Sequence, residues 1–228
     1  MNKLKYNSLI VSCQALEDEP LFGPQIMARM ALAAQIGGAS AIRANSPQDI
    51  KAIKRSVDLP LIGLWKRKLE HYQVYITPTF ADSRAILQAG ADYVALDCTV
   101  RKRPEPLAEI FEKIRDAFPD RGIIADIATL NDAKKVFALR PDYISTTLSG
   151  YTEESRTRPK PDLTLIKEIK DLTNIPILAE GNYNDGVQGA NALKQGAYAV
   201  VIGGAITRPQ VITRRIYQEM ANNLSVGK

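Results

Sequence analysis

Gly196-Ala197-Tyr198-Ala199-Val200-Val201-Ile202-Gly203-Gly204-Ala205-Ile206-Thr207-Arg208-Pro209 decides how the chain is read. A glycine that can take the left-handed conformation ends a helix, and a short apolar, β-branched run then makes a strand. Two glycines follow and open the next helix. Gly38-Ala39 and Gly90-Ala91 mark the same helix-to-strand junction 52 residues apart, and Gly196-Ala197 lies 106 residues beyond the second. These intervals are about two and four units of 26 residues. Leu59-Pro60-Leu61-Ile62-Gly63 and Ile175-Pro176-Ile177-Leu178-Ala179 form a second related pair, 116 residues apart. Both spacings fit a helix–strand unit that occurs eight times.

Working outward, strands are expected at Leu9–Cys13, Ser40–Ile42, Leu61–Leu64, Tyr93–Leu96, Ile123–Ala125, Tyr143–Ser145, Ile177–Ala179 and Ala199–Ile202. Helical periodicity separates them, for example over Ala81–Gln88, Leu107–Phe118 and Leu163–Leu172. Ser46, Thr79 and Thr129 each stand three residues before an aspartate, which is the pattern of a capped helix start. Pro47 suits the first helical position. Eight such units in 228 residues describe one (β/α)8 (TIM) barrel over residues 1–228. A doubly wound open sheet would carry a glycine-rich turn after its first strand, where this chain has Cys13-Gln14-Ala15-Leu16.

Composition narrows the function. The chain has 30 Lys+Arg against 25 Asp+Glu, a net charge of +5, and 45% apolar residues. That balance excludes a disordered chain. No run is long and apolar enough to span a bilayer. The basic start, Met1-Asn2-Lys3-Leu4-Lys5, soon meets Glu17-Asp18-Glu19 and is no signal-peptide core, so a cytoplasmic protein is expected. Cys13 and Cys98 are expected to be reduced and buried. With His71 as the one histidine, a His-rich metal centre or a Ser-His triad is not expected. No basic stripe interleaves with aromatics, so neither nucleic acid nor membrane is expected as a partner.

In such a barrel the active site forms where the strands end. The first polar residues there are Gln14, Arg43, Lys66, Asp97, Asp126, Thr146 with Thr147, and Glu180, followed by Gly203-Gly204. Strand alternation places Lys66 inside the mouth if Ile62 and Leu64 point inward. Such a lysine can act as a base, a Schiff-base nucleophile or a phosphate ligand. Glu180-Gly181-Asn182 and Gly203-Gly204 read as a phosphate cup, because glycine lets backbone N–H groups approach an anion closely. Arg208, expected at the start of the final helix, has the geometry to hold phosphate there.

Eight segments in chain order resemble the N-acetylmannosamine-6-phosphate 2-epimerase family. They are Ser12-Cys13-Gln14-Ala15, Ala41-Ile42-Arg43-Ala44-Asn45, Ile62-Gly63-Leu64-Trp65-Lys66, Tyr75-Ile76-Thr77-Pro78-Thr79, Ala125-Asp126-Ile127-Ala128-Thr129, Thr146-Thr147-Leu148-Ser149-Gly150-Tyr151, Ala179-Glu180-Gly181 and Val201-Ile202-Gly203-Gly204-Ala205-Ile206-Thr207-Arg208-Pro209. The resemblance implies a barrel that interconverts N-acetylmannosamine 6-phosphate and N-acetylglucosamine 6-phosphate in sialic-acid breakdown. It also implies that no organic cofactor and no metal take part. Under it Lys66 is the C2 acid/base, Glu180 the ring-opening or second proton-handling residue, and Asp126 orients or tunes Lys66. Arg43 and Gln14 then hold the sugar's carbonyl or hydroxyls. Thr147, Gly181, Gly203, Gly204 and Arg208 complete the expected binding set.

A Schiff-base aldolase barrel and a non-catalytic phospho-sugar-binding barrel are the competing readings. The polar loop from Ser149 to Pro161 is either a lid or a solvated connector. Ile212, Ile216, Met220 and Leu224 form a stripe on the last helix. It is expected to pack on the barrel or to join two subunits as a homodimer.

Overall fold

In the computed structural model, which describes residues 3–225, eight parallel strands close into a barrel in chain order. The elements are β1 (Ser8–Cys13), α1 (Pro24–Ile36), β2 (Ala41–Asn45), α2 (Pro47–Lys54), β3 (Leu61–Leu64), α3 (Phe80–Gln88), β4 (Tyr93–Asp97) and α4 (Leu107–Ala117). They continue with β5 (Gly122–Asp126), α5 (Leu130–Val136), β6 (Tyr143–Ser145), α6 (Leu163–Lys170), β7 (Ile177–Glu180), α7 (Gly186–Lys194), β8 (Ala199–Ile202), α8 (Gly204–Thr207) and α9 (Pro209–Ser225). Closure pairs β1 with β8, Ser8 lying opposite Ala199. Met1 and Asn2 of the basic start, and residues 226–228, lie outside the described residues.

Local chemistry sets the boundaries. Thr79 and Thr129 make reciprocal capping boxes with Asp82 and Asp132, and the Ser46 hydroxyl accepts from the Asp49 N–H. Gly38, Gly90 and Gly196 take φ of +96°, +110° and +102° just past their helices, as the repeat required. Gly63 has a different task. A Cβ there would meet Ile86 Cγ2 at 2.5 Å and Ile50 Cδ1 at 2.7 Å, so its absence lets α2 and α3 seat on β3.

Alternation along the strands sorts the core into two layers. Val11, Ile42, Val94, Ile123, Ile144 and Val200 face the helices. Ile10, Ala41, Ile62, Tyr93, Ile124 and Val201 face the barrel interior. Continuing the inward parity toward the strand ends reaches Ser12, Arg43, Lys66, Asp126, Thr147 and Glu180.

Two expectations need correction. The second strand runs on to Asn45, so Arg43 lies inside it and not after it. Carboxylates from across the barrel, Asp126 on β5 and Glu180 on β7, make that burial tolerable. Of the last-helix stripe, Ile212 is half-buried, but Ile216, Met220 and Leu224 are 48%, 60% and 76% exposed and do not pack on the barrel. The groove that a last helix would cover in this fold is open instead. It is about 360 Å³ in volume and lined by Leu9, Leu193, Val200, Ile202 and Ile206 among others.

Candidate active site

The ends of β1–β3 and β6–β8, with the loops that follow them, surround a cavity of about 380 Å³. Gln14, Arg43, Lys66, Thr147, Glu180, Gly181, Gly203, Gly204 and Arg208 all line it. Nine of the ten expected site residues therefore converge, and Asp126 stands behind them.

Lys66 is held by its backbone. Its N–H donates to Asn45 Oδ1 at 2.8 Å, and it bridges antiparallel to Ile76 as the loop after β3 folds back. Thr77 N–H donates to the Trp65 carbonyl at 2.8 Å, and Trp65 N–H donates to Thr77 Oγ1 at 3.0 Å. The half-buried ammonium faces a positive neighbourhood. Partial burial, then Arg208 and Arg43, bring its pKa down from 10.5 to about 8, against the opposing pull of Glu180 and Glu19.

Below the cavity lies a buried ionic floor. Arg43, fully enclosed, donates to Asp126 through Nη1 at 3.2 Å and Nη2 at 2.6 Å. Its Nε stands 3.3 Å from Glu180 Oε1 but is not aligned for a hydrogen bond. The Thr147 hydroxyl lies 2.8 Å from Asp126 Oδ1, Glu180 Oε2 and Ser145 Oγ alike. Burial and the Glu180 charge raise the Asp126 pKa, and Arg43 and the Thr147 hydroxyl oppose the rise. Thr146 clamps the Glu180 backbone: its hydroxyl donates to the Glu180 carbonyl at 2.8 Å, and the Glu180 N–H donates to Thr146 Oγ1 at 3.0 Å.

The geometry changes two expectations and adds a partner to a third. Asp126 partners Arg43 and does not line the cavity. Asp97 turns to Arg101 at 2.6 Å and to Thr99, away from the cavity. Arg208 stands at the start of the final helix, as expected, between the single turn of α8 and α9, and its carbonyl accepts from the Ile212 N–H at 3.1 Å. Its side chain, however, is already paired: Nε lies 2.7 Å from Glu19 Oε1 and Nη2 2.8 Å from Glu19 Oε2. A carboxylate on the loop after β1 thus already balances this cation.

The loop from Ser149 to Pro161 is tied down internally. Ser149 donates to Asp162 at 2.8 Å, Gly150 N–H to Ser155 Oγ at 3.0 Å, and Arg158 pairs with Asp162 and, at 3.0 Å, with Glu168. It presents Tyr151 to the cavity mouth, where the phenol reaches Asn182 Oδ1 at 3.3 Å. Tyr75, Tyr151 and Tyr183 also line the cavity; the first two lie in the resembling segments, but none is among the expected site residues. They lie on loops, where no periodicity reports direction. Ser12 also lines it, and its parity with Ile10 was a usable signal.

A barrel mouth that gathers a depressed lysine, carboxylates on a buried arginine and a glycine–arginine rim defines a (β/α)8-barrel enzyme equipped for proton transfer on an anionic ligand. Comparison with known proteins agrees. The model of a family described as "Putative N-acetylmannosamine-6-phosphate epimerase" matches residues 27–222. A relative from Caldanaerobacter subterraneus named "Putative N-acetylmannosamine-6-phosphate 2-epimerase" is 50% identical over 92% of this chain and 89% of its own. One of the same name from Listeria monocytogenes is 45% identical over 96% and 94%. The solved N-acetylmannosamine-6-phosphate 2-epimerase from Clostridium perfringens superposes with a TM-score of 0.91 at 43% identity, covering 94% of each chain. The chain belongs to the N-acetylmannosamine-6-phosphate epimerase family.

Proposed function

We propose that this protein interconverts N-acetylmannosamine 6-phosphate and N-acetylglucosamine 6-phosphate by removing and returning the proton at C2. The observation that carries the reading is Lys66, held rigidly in the cavity with a pKa of about 8. A lysine must be neutral to accept a proton, and this one is about one-tenth neutral at pH 7. In the open-chain sugar, C2 adjoins the C1 aldehyde, so deprotonation gives an enolate. Arg43 supplies positive charge toward the enolate oxygen, and Gln14 hydrogen-bonds the sugar chain. Glu180 moves the proton that opens and closes the ring, and Asp126 keeps Arg43 in place. Gly181, Gly203, Gly204 and Arg208 hold the phosphate, with Arg208 shared between Glu19 and the ligand. No organic cofactor and no metal enter this scheme. We assign the reaction to sialic-acid breakdown in the cytoplasm, a reading that family membership supports.

The test is NMR of N-acetylmannosamine 6-phosphate with the protein in D2O. Formation of the gluco epimer with deuterium at C2 is expected. Cleavage of the carbon chain, or binding without exchange, would overturn the reading.

We further propose a homodimer. The α9 stripe of Ile216, Met220 and Leu224 is exposed, and the open groove beside β8 is apolar enough to receive such a face. Light scattering should give twice the 25.1 kDa chain mass, and Met220→Asp should shift it toward monomer. A monomeric wild type would refute this.

A further inference from the structure

Proton counting in the buried floor leads beyond this scheme. The Thr147 oxygen has three oxygen neighbours at 2.8 Å: Asp126 Oδ1, Glu180 Oε2 and Ser145 Oγ. One hydroxyl carries one proton, so it donates to one neighbour and accepts from others. Ser145 Oγ, itself 3.2 Å from Glu180 Oε2, brings a second proton. If both carboxylates are ionised, the two hydroxyl protons serve the four short contacts, and Thr147 can donate to one carboxylate alone. A third proton, placed on either carboxyl, lets that group donate to Thr147 while Thr147 donates to the other carboxylate.

Burial and the mutual repulsion of the two carboxylates favour holding such a proton, against the pull of the cations beside them. Arg43 from β2 faces both carboxylates. Lys66 from the loop after β3 and Tyr151 from the loop after β6 interact electrostatically with Glu180, and Tyr75 and Cys98 with Asp126. Asp126 is fully buried and does not line the cavity, so no solvent path of its own supplies it with protons. Glu180 does line the cavity.

We propose that Thr147 is a positioning residue that relays a proton between Glu180 and Asp126, making Asp126 a buried proton store for the reaction. In the forward step the Glu180 O–H bond breaks as a new O–H bond forms on Thr147. The original Thr147 proton passes to Asp126 Oδ1, and the negative charge moves from Asp126 to Glu180. The reverse step returns it. Nothing is oxidised or reduced, and no further reactant is needed.

The relay rests on the epimerase reading for its catalytic use, but its existence is tested without substrate. Infrared titration of the unliganded protein follows the buried carboxyl band that Asp126→Asn removes. In Thr147→Val, which keeps the volume and loses the hydroxyl, this band should titrate about one pH unit higher, because a hydrogen bond to the carboxylate is gone. Thr147→Ser should restore the wild-type position. In turnover, the acid limb of the kcat profile should follow the same order, with Thr147→Val shifted up and Thr147→Ser restored. An unmoved band in Thr147→Val, or equal shifts in Val and Ser, would overturn the relay and leave Thr147 as packing. If the band moves as expected but the wild type shows no C2 exchange, the epimerase reading fails and the proton bridge stands.

Discussion

The two ends of the barrel interior are built from the same eight strands to opposite purposes. At the end where the strands begin, Tyr93, Tyr143 and Tyr198 pack edge to face at 5.6 and 5.4 Å, and Tyr6 adds a further ring at 5.3 Å. Tyr198 donates its hydroxyl to the Leu4 carbonyl at 2.9 Å, so this plug is apolar with its polar tip satisfied. At the other end the same inward positions carry Arg43, Asp126 and Glu180. The plug follows the rule for a core, and the mouth departs from it by burying charge. Departures of that kind cluster where chemistry is done. One end supplies stability, and the other buries paired charge for function.

Substitutions at each end sharpen or break that contrast. The largest effect should come from Lys66→Ala, with kcat reduced by at least about 10²–10⁴-fold. Its melting temperature should stay near the wild-type value, since a cation crowded by Arg43 and Arg208 has been removed. A folded variant that turns over normally would break the assignment. Tyr93→Ala should do the converse, losing about 3–5 kcal/mol of stability by leaving a cavity while kcat changes little. Chemical denaturation and kinetics on the same sample decide it, and a larger loss in kcat than in stability would show that the ends are not separable.

Glu180→Gln should lower kcat by about 10²-fold while substrate still binds. A rise in KM alone would make Glu180 a binding residue. Arg208→Ala should weaken phosphorylated sugars by about 10- to 200-fold, as expected for a charge-assisted contact worth roughly 1.5–3 kcal/mol. Unphosphorylated N-acetylmannosamine should be nearly unaffected, and calorimetry with both sugars checks this. The unliganded variant should melt slightly lower, because Glu19 loses its partner.

The smallest effect is on pH. Lys66 works neutral, so kcat/KM should rise with pH and level off above about 8. The linkage has the same sign. Folding lowers this pKa from 10.5 to about 8, so the unfolded chain binds more protons in that window. The contribution of Lys66 to stability therefore improves as pH rises through it. Activity that falls between pH 6 and 8 would contradict a neutral lysine base.

Much of this was open to a reader of the sequence. The Gly-Ala junctions, the capped helix starts and the period of the strands are local features, each decided within a few residues of backbone. Parity carried Lys66 into the mouth because side chains alternate on any strand, whatever surrounds it. The eight ordered motifs were enough to assign the family before any coordinate was known.

What the sequence alone left open was partnership. Arg43 with Asp126 joins residues 83 apart, and Arg208 with Glu19 joins residues 189 apart. No local signal says which carboxylate a given cation will meet. The same holds for the tyrosines on the loops, whose direction depends on the opposing loop, and for α9, whose stripe reads alike whether it covers its own barrel or another. Local chain chemistry determined the elements and which face of each strand looks inward. Only closure of the barrel decided which charges neutralise one another, because electrostatic pairing depends on distance in space and not along the chain.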